Sequence, residues 1–385
     1  MLPFVPAAAA AVVAAALLPA GPVASTAAGP DPSSWADRRL AAQLTISCVD
    51  MSHLGRAERH AAAGIGAVTL LGTPPANLRD RLRDVQDAAP TRVKPFVASD
   101  EEGGLVQRLR RVIYRLPSAE TMGTWRAARV RRTAHDYADR MRRLGVRMEL
   151  APVADLELPG GYIAALDRAF ARDPDRVARM ARAWRLGMQD AGVATVIKHW
   201  PGHGAAGDSH TGPARVPRLS VLEGRDLVPF GRELADGARV VMVGHLLSAG
   251  LTRDGIPASL SRHALHYLRR SAGPDAVIMT DSLAMAAASS SLGISPARAT
   301  VRALRAGADW AMPCDAGPLR AVRAVTAALA DGRLPRAQAE ASARRVLDLK
   351  QQWGLAPPPD VRTSRRPRPW ALRGAVRPVS GTMAG

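Results

Sequence analysis

Cysteine, lysine and aromatic residues are all scarce in this chain of 385 residues. Its two cysteines are too few for a disulfide framework or a structural zinc site. Aromatic residues make up 4% of the sequence and no basic stretch is interleaved with them, which argues against specific nucleic-acid binding. Only Lys94, Lys198 and Lys350 are lysines, so arginine carries the formal net charge of +19. That charge favours anionic partners such as cell-wall polymers, although abundant Arg and Ala are also what a G+C-rich genome produces.

Several short motifs of known enzyme classes are missing as well. The stretch most similar to a G-x-G-x-x-G turn is E-E-G-G at residues 101–104, which lacks that spacing, so an open dinucleotide-binding sheet is only the second choice. The sequence contains no H-E-x-x-H pattern and no internal repeat of solenoid length. With 47% apolar residues, the chain can bury a substantial core.

The two ends of the sequence differ in composition from the middle. An apolar run at residues 5–18, followed by a Pro/Gly break and small residues, predicts a secretory signal at residues 1–28. No basic residue precedes this run, which leaves open an incorrectly assigned start, an uncleaved anchor or a cytoplasmic protein. The run is shorter than the roughly 20 residues of a membrane-spanning helix, so we expect no transmembrane domain in a mature, secreted or wall-associated protein. Residues 356–385 predict a disordered tail rich in Pro and Arg.

Between the ends, short apolar runs alternate with amphipathic stretches of helical length. We predict strands at residues 44–49, 67–71, 95–99, 146–153, 194–197, 239–243, 276–280 and 308–312. The predicted helices include residues 122–144, 174–191, 318–330 and 335–352. Strands separated by helices pair in parallel through right-handed crossovers, and eight such units favour a single-domain α/β fold, a (β/α)8 TIM-type barrel over residues 36–355.

Unusual polar residues follow these strands, where a barrel places its functional loops. They are the segment 100–108 after the third strand, Asp155 and Asp167–Arg168 after the fourth, residues 198–210 after the fifth, His245 after the sixth, and Asp281 after the seventh. Their coincidence at one end of the predicted barrel indicates a functional site.

The segment 198–210, K-H-W-P-G-H-G-A-A-G-D-S-H, is the most informative of these. It holds three of the nine histidines of the chain, and its glycines predict a loop. A carboxylate beside an imidazole fixes the tautomer and supports acid/base catalysis, so Asp208 and His210 form a candidate dyad. A surface role for these histidines and a zinc site from His199, His203, Asp208 and His210 are the alternatives.

Asp281 ends the predicted strand A-V-I-M-T-D. An aspartate after a strand commonly caps the next helix, which is the ordinary interpretation. The functional interpretation is a carboxylate nucleophile that attacks an anomeric carbon and holds the sugar as an ester, with His210 protonating the leaving oxygen.

Four motifs together resemble family 3 glycoside hydrolases. They are D-x-E-G-G-x-V-Q-R at residues 100–108, K-H-W-P-G-H-G-x₃-D-S-H at 198–210, P-A-S-L-S at 257–261 and T-D-S-L-A-M at 280–285. Within that family, the chain is similar to the single-domain bacterial β-N-acetylglucosaminidases over roughly residues 36–355. Family members usually carry Arg at the position of Leu105 and often Asp at that of Ser282, and residues 156–166 also depart from the usual pattern.

The resemblance implies a retaining exo-β-N-acetylglucosaminidase that needs neither a metal nor an organic cofactor. It implies that Asp281 is the nucleophile, His210 the general acid/base and Asp208 its partner on a mobile loop. The side chains implied in binding the sugar are Asp100, Arg108, Arg168, Lys198 and His199.

The expected substrates are terminal N-acetylglucosaminides of peptidoglycan fragments or chitooligosaccharides. Phosphate-dependent cleavage of a β-glycoside and a catalytically silent sugar-binding barrel are the alternative functions. Cys48 ends the first predicted strand and Cys314 follows the last, and these strands are neighbours in a closed barrel. We therefore expect a disulfide between them if the protein is exported.

Overall fold

The computed structural model describes residues 30–253, 255–314 and 317–358. The predicted signal at 1–28 and the predicted tail from residue 359 onward lie outside these residues. In the part of the chain that is described, no helix is long and apolar enough to cross a membrane.

Each of the eight predicted strand segments contains a strand. The strands are β1 Ile46–Asp50, β2 Ala67–Leu71, β3 Phe96–Ser99, β4 Glu101–Gly103, β5 Val106–Gln107, β6 Met148–Glu149, β7 Ala194–Thr195, β8 Ile197–Trp200, β9 Ala214–Arg215, β10 Val240–Val243, β11 Leu246–Leu247, β12 Val277–Ser282 and β13 Trp310–Met312. The short strands β4, β5, β9 and β11 were not predicted. They belong to the segments that connect the main strands with the helices, where they shape the loops.

The main strands form two parallel sheets, ordered β1-β2-β3-β6-β7 and β13-β12-β10-β8. Two isolated parallel bridges connect the sheets. Thr45, just before β1, bridges to Ala311 in β13, and Val153, beyond the end of β6, bridges to Lys198 in β8. The α/β class with parallel strands is therefore confirmed, but as two bridged sheets and not as one continuous sheet.

Helices lie between the main strands. They are α1 Asp37–Gln43, α2 Leu54–Ala62, α3 Leu78–Asp87, α4 Ala119–Gly123, α5 Ala127–Leu144, α6 Pro174–Asp190, α7 Leu219–Gly224, α8 Leu227–Ala235, α9 Arg262–Ala272, α10 Pro296–Ala306, α11 Pro318–Ala330 and α12 Arg336–Gln352. Three of the four predicted helices match α6, α11 and α12 to within about one residue.

The predicted helix 122–144 is wrong at its start, because the chain forms two helices there. The backbone carbonyl of Gly123 accepts a hydrogen bond from Nε of Arg176 at 2.6 Å. A Cβ atom at Gly123 would lie 1.7 Å from the carbonyl oxygen of Phe170. These contacts with distant residues end α4, and Arg126 is extended before α5 begins.

Side chains from the main strands of both sheets share one apolar cluster. It includes Ile46 and Phe96 from the first sheet and Val240, Met279 and Trp310 from the second, each at most 1% exposed. Alternate strand residues point the opposite way, towards the helices, as the period of two requires. Burial of each large side chain stabilises the fold by about 1.5–3 kcal/mol, so this cluster holds the two sheets together.

A disulfide joins Cys48 in β1 to Cys314, which follows β13. Their Cα atoms are 5.0 Å apart, within the range that a disulfide spans. The bond predicted from the neighbouring first and last strands is thereby confirmed.

Candidate active site

A cavity of about 510 Å³ opens where the carboxyl ends of the main strands meet. Seven of the eight side chains predicted for the site line it: Asp100, Arg108, Arg168, Lys198, His199, His210 and Asp281. The eighth, Asp208, lies outside the lining and is hydrogen-bonded to His210. Carboxyl ends of parallel strands share one edge, which is why residues far apart in sequence meet here.

The segment 100–108 forms a small antiparallel hairpin of β4 and β5 at the cavity edge. Gly103 has a φ of 93°, and a Cβ atom there would lie 2.1 Å from the carbonyl oxygen of Pro117. Only glycine fits this turn without a shift of the backbone. The backbone N–H of Arg108 donates to the carbonyl of Asp100 at 3.2 Å, so the hairpin brings both side chains to the same wall.

Glu102 lies at the centre of a buried cluster of ion pairs. Its carboxylate accepts two hydrogen bonds from Arg168, at 2.7 and 2.9 Å. Nζ of Lys198 lies 2.6 Å from the same carboxylate and 2.7 Å from that of Asp100. The side chains of Glu102, Arg168 and Lys198 are only 2%, 11% and 3% exposed.

Opposite charges in this cluster outweigh the cost of burying them. Burial alone would raise the pKa of Glu102, but Arg168 and Lys198 hold that pKa well below its usual range. Burial would lower the pKa of Lys198, but Asp100 and Glu102 raise it above its ordinary value. Glu102, Arg168 and Lys198 are therefore charged at neutral pH, and each side chain is held in one orientation for hydrogen bonding to a polar ligand.

His199 is oriented by a fully buried carboxylate, that of Asp155. Nδ1 of His199 donates to Asp155 at 2.6 Å, and the backbone N–H groups of His199 and His203 donate to it at 3.1 and 2.7 Å. Burial raises the pKa of Asp155, but His199 and the other donors bring it below the ordinary value. Asp155 thus fixes the ring of His199 and the first turn of the loop after β8.

His203 is a buried neutral side chain, since burial and the nearby His199 lower its pKa to about 4. Its ring packs 5.8 Å from that of His199, between centroids. Within the described ranges, no group of three His, Cys, Asp or Glu side chains is placed to hold a metal ion. The zinc-site alternative therefore has no support from the geometry of His199, His203, Asp208 and His210.

Asp208 and His210 form the predicted pair. Nδ1 of His210 donates to Asp208 Oδ1 at 2.6 Å, and the backbone N–H of His210 donates to the same atom at 2.9 Å. Burial raises the pKa of Asp208, but these two hydrogen bonds and the nearby His210 ring together bring it below the ordinary value. With Nδ1 committed to the aspartate, Nε2 of His210 is the nitrogen left for proton transfer, and the side chain is 53% exposed.

Asp281 lies within β12, so the alternative role as a helix cap is wrong. The next helical turn is the 3₁₀ helix Ala286–Ala288, which no side chain caps. Oδ1 of Asp281 accepts the backbone N–H of Ser282 at 2.7 Å. Burial raises the pKa of Asp281, but His199, His245 and this hydrogen bond lower it below the ordinary value. The lowered pKa favours the ionised carboxylate at neutral pH.

The segment after β12 contacts the loop that carries His210 directly. The backbone N–H of Ala286 donates to the carbonyl of His210 at 3.2 Å, and that of Ala287 donates to Ser209 at 3.3 Å. These hydrogen bonds keep the loop that carries His210 beside the segment that follows Asp281.

Several residues at the site had no role in the sequence-based prediction. In the sequence, Glu102 stands out only as part of its motif, Asp155 and His245 only as polar residues after strands, and Tyr162 only as part of the divergent segment 156–166. Tyr162 lines the cavity with its ring 6.2 Å from those of both His203 and His210. A carboxylate directly before a glycine turn, as in Glu102-Gly103, and an aspartate after a buried apolar run, as at Asp155, are signals that could have found two of them.

The model of the glycosyl hydrolase family 3 N-terminal domain matches residues 42–349, most of the chain. The chain belongs to glycosyl hydrolase family 3.

Individual relatives in family 3 agree with this assignment. The chain is 40% identical over 265 residues to the beta-hexosaminidase LpqI of Mycobacterium tuberculosis, covering 66% of this chain and 67% of that protein. A family 3 glycosyl hydrolase of Mycobacterium smegmatis has a similar structure, with 35% identity, a TM-score of 0.76 and coverage of 86% of this chain and 100% of the other. A family 3 beta-N-acetylglucosaminidase of a Paenibacillus species matches at 29% identity and a TM-score of 0.76, covering 83% of this chain and 62% of the other.

Proposed function

We propose that this protein is a retaining exo-β-N-acetylglucosaminidase that hydrolyses terminal β-linked N-acetylglucosamine. Membership of family 3 supports a glycoside hydrolase, and relatives named beta-hexosaminidase support this sugar. The observation that carries the proposal is the meeting of Asp281 and the Asp208–His210 pair at one cavity of suitable size.

In the first step, the ionised carboxylate of Asp281 attacks the anomeric carbon of the sugar. The bond from that carbon to the leaving oxygen breaks, and Nε2 of His210 gives its proton to the leaving oxygen. Asp208 stabilises the protonated imidazole and keeps Nδ1 as the donor to itself. The product is a glycosyl ester on Asp281 and a released alcohol.

In the second step, water attacks the anomeric carbon of this ester. His210 now takes a proton from the water, the bond to Asp281 breaks, and the carboxylate is restored. Two displacements on the same carbon return it to its original configuration, so the product is the β-anomer.

The charged side chains that line the same cavity would hold the sugar. Asp100, Arg108, Arg168, Lys198 and His199 present donors and acceptors already fixed by ion pairs and by Asp155. Groups that are oriented before binding lose little freedom when they bind a neutral polyol, and bonds that strengthen in the transition state lower the barrier.

For the fold, we propose one closed (β/α)8 barrel over residues 36–355. The bridges between Thr45 and Ala311 and between Val153 and Lys198 connect the two sheets at two places, and the shared apolar cluster would be the interior of the barrel. Solution of a crystal structure tests this directly, since a barrel requires hydrogen bonds along both seams.

We further propose that the protein is exported and acts on fragments of peptidoglycan or chitooligosaccharides. The disulfide between Cys48 and Cys314 supports an oxidising compartment, where such bonds persist. Residues 1–28, which lie outside the described residues, would supply the secretory signal. Mass analysis of the protein from the medium of the producing cell tests both statements, because an exported protein would lack the signal and contain no free thiol.

A substrate panel tests the activity. Aryl β-N-acetylglucosaminide, β-glucoside and β-N-acetylgalactosaminide are compared with and without phosphate. We expect free N-acetylglucosamine as product from the first substrate and no dependence on phosphate. N-acetylglucosamine 1-phosphate as the product would establish the phosphate-dependent alternative, and binding without turnover would establish the silent barrel.

Substitutions test the two catalytic roles. Asp281→Asn should abolish turnover, and a fluorinated N-acetylglucosaminyl donor should label Asp281 in the wild-type protein. His210→Ala should lower the rate by about 10²–10⁴ with a poor leaving group and by less with an activated phenol, which needs less protonation. Labelling of another side chain, or equal losses with both leaving groups, would refute the respective role.

A further inference from the structure

His245 and Ser259 are two buried polar residues beside the nucleophile that the proposed mechanism does not use. His245 follows β10, which pairs with β12, the strand that ends at Asp281 and Ser282. Ser259 lies in the 3₁₀ helix Ala258–Leu260. The two side chains are 1% and 0% exposed, so neither contacts bulk solvent.

Hydrogen bonds fix both nitrogens of the His245 ring. Nε2 lies 2.8 Å from the carbonyl oxygen of Ser282, and a carbonyl can only accept, so Nε2 carries a proton. Nδ1 lies 2.7 Å from Oγ of Ser259. In a neutral ring Nδ1 accepts, so the hydroxyl of Ser259 donates to it and selects this tautomer.

The peptide unit that joins Ser282 to Leu283 is held from both sides. Its carbonyl accepts from His245, and its N–H, that of Leu283, donates to the carbonyl of Met312 at 2.9 Å. The rotation of this peptide is thereby restricted. Because the peptide that follows Ser282 is held in place, the backbone angles of Ser282 are limited. The backbone N–H of Ser282 is thereby directed towards Oδ1 of Asp281, to which it donates at 2.7 Å.

We propose that Ser259 and His245 are positioning residues that hold the Ser282 backbone and so orient the carboxylate of Asp281 for attack. This inference rests on the proposed function, in which Asp281 is the nucleophile. Neither side chain needs to touch the sugar. The position of the attacking carboxylate oxygen of Asp281 matters, because a displacement of about 1 Å can lower the rate on the order of 10²-fold.

Two substitutions of His245 separate its two hydrogen bonds. In His245→Gln, the amide nitrogen replaces Nε2 and keeps the donor to Ser282, but the contact with Ser259 is lost. In His245→Asn, the shorter amide replaces Nδ1 and keeps the contact with Ser259, but it does not reach Ser282. Both variants remove the ring, so they should lose similar stability, measured as the free energy of unfolding.

The rate at which a fluorinated N-acetylglucosaminyl donor labels Asp281 is the decisive measurement. We expect His245→Asn to slow labelling and kcat by on the order of 10²-fold while KM stays within about threefold, and His245→Gln to retain most of the rate. Ser259→Ala removes little volume, and it should cost about fivefold in kcat, since the lost hydrogen bond is worth about 1 kcal/mol, which corresponds to that factor in rate. The exposed His263→Gln serves as the control.

The outcomes separate this inference from the proposed function. Equal rate losses in His245→Gln and His245→Asn, or a rise in KM with kcat unchanged, would overturn the positioning role. The proposed function would still stand in that case if Asp281 is the residue labelled in the wild-type protein. If His245→Asn does not fold, unchanged labelling in Ser259→Ala would overturn it. Labelling of a side chain other than Asp281 in the wild-type protein would overturn the proposed function itself.

Discussion

Replacement of Glu102 by glutamine removes the negative charge at the centre of the ion cluster and keeps the shape of the side chain. Arg168 then loses both of its short hydrogen bonds to a carboxylate, while Lys198 keeps Asp100 at 2.7 Å. A buried charge left without its partner costs about 3–5 kcal/mol. Since the Arg168 side chain is 11% exposed, we expect Glu102→Gln to lower the free energy of unfolding by about 3 kcal/mol.

Urea unfolding at pH 7 measures this loss. The matched control is Asp80→Asn, which breaks an exposed pair with Arg83 whose side chains are 66% and 61% exposed. An exposed pair contributes at most about 1 kcal/mol. The double variant Glu102→Gln/Arg168→Met should recover part of the loss, because no guanidinium is then left without a partner. A loss in Glu102→Gln no larger than that of the control would refute the reasoning.

Two further predictions concern the stability of the fold. Reduction of the Cys48–Cys314 bond, which closes a loop with a sequence separation of 266, should lower the free energy of unfolding by about 5 kcal/mol in denaturant titrations. The variant with both cysteines replaced by serine should not respond to reductant, and an equally stable reduced protein would contradict the prediction. Lys350 is fully buried, hydrogen-bonds Gln43 at 2.8 Å, and has its pKa lowered by burial to about 7. Because this pKa is lower than in the unfolded chain, the free energy of unfolding of the wild-type protein rises as the pH increases above about 7. The gain in free energy of unfolding that Lys350→Met shows over the wild type should therefore be largest near pH 6 and smaller at pH 9. A gain that does not change with pH would contradict this prediction.

The arrangement of the main strands could be predicted because its signals are local. Each apolar run of four to eight residues between helical stretches overlaps a strand, and seven of the eight predicted site residues line one cavity. The disulfide followed from the same order, since Cys48 and Cys314 flank the first and last strands. Two bridged sheets instead of one continuous sheet could not be foreseen, because the hydrogen bonds at the seams depend on local register.

The features that were missed depend on partners distant in sequence. The role of Glu102 is defined by Arg168, 66 residues later, and that of Asp155 by His199, 44 residues later. The break between α4 and α5 likewise reflects the contact of Gly123 with Arg176. Periodicity and spacing report on neighbours along the chain, so such contacts have no signature in them.

Asp155 ties the segment after β8 to a separate part of the chain. Through its hydrogen bonds to the backbone of His199 and His203, it shapes the loop on which Asp208 and His210 stand. A transplant of residues 198–210 into another scaffold would therefore reproduce the motif without its anchor. The structure of this loop depends on two segments, residues 198–210 and the segment that contains Asp155, so an engineered loop exchange has to transfer both together.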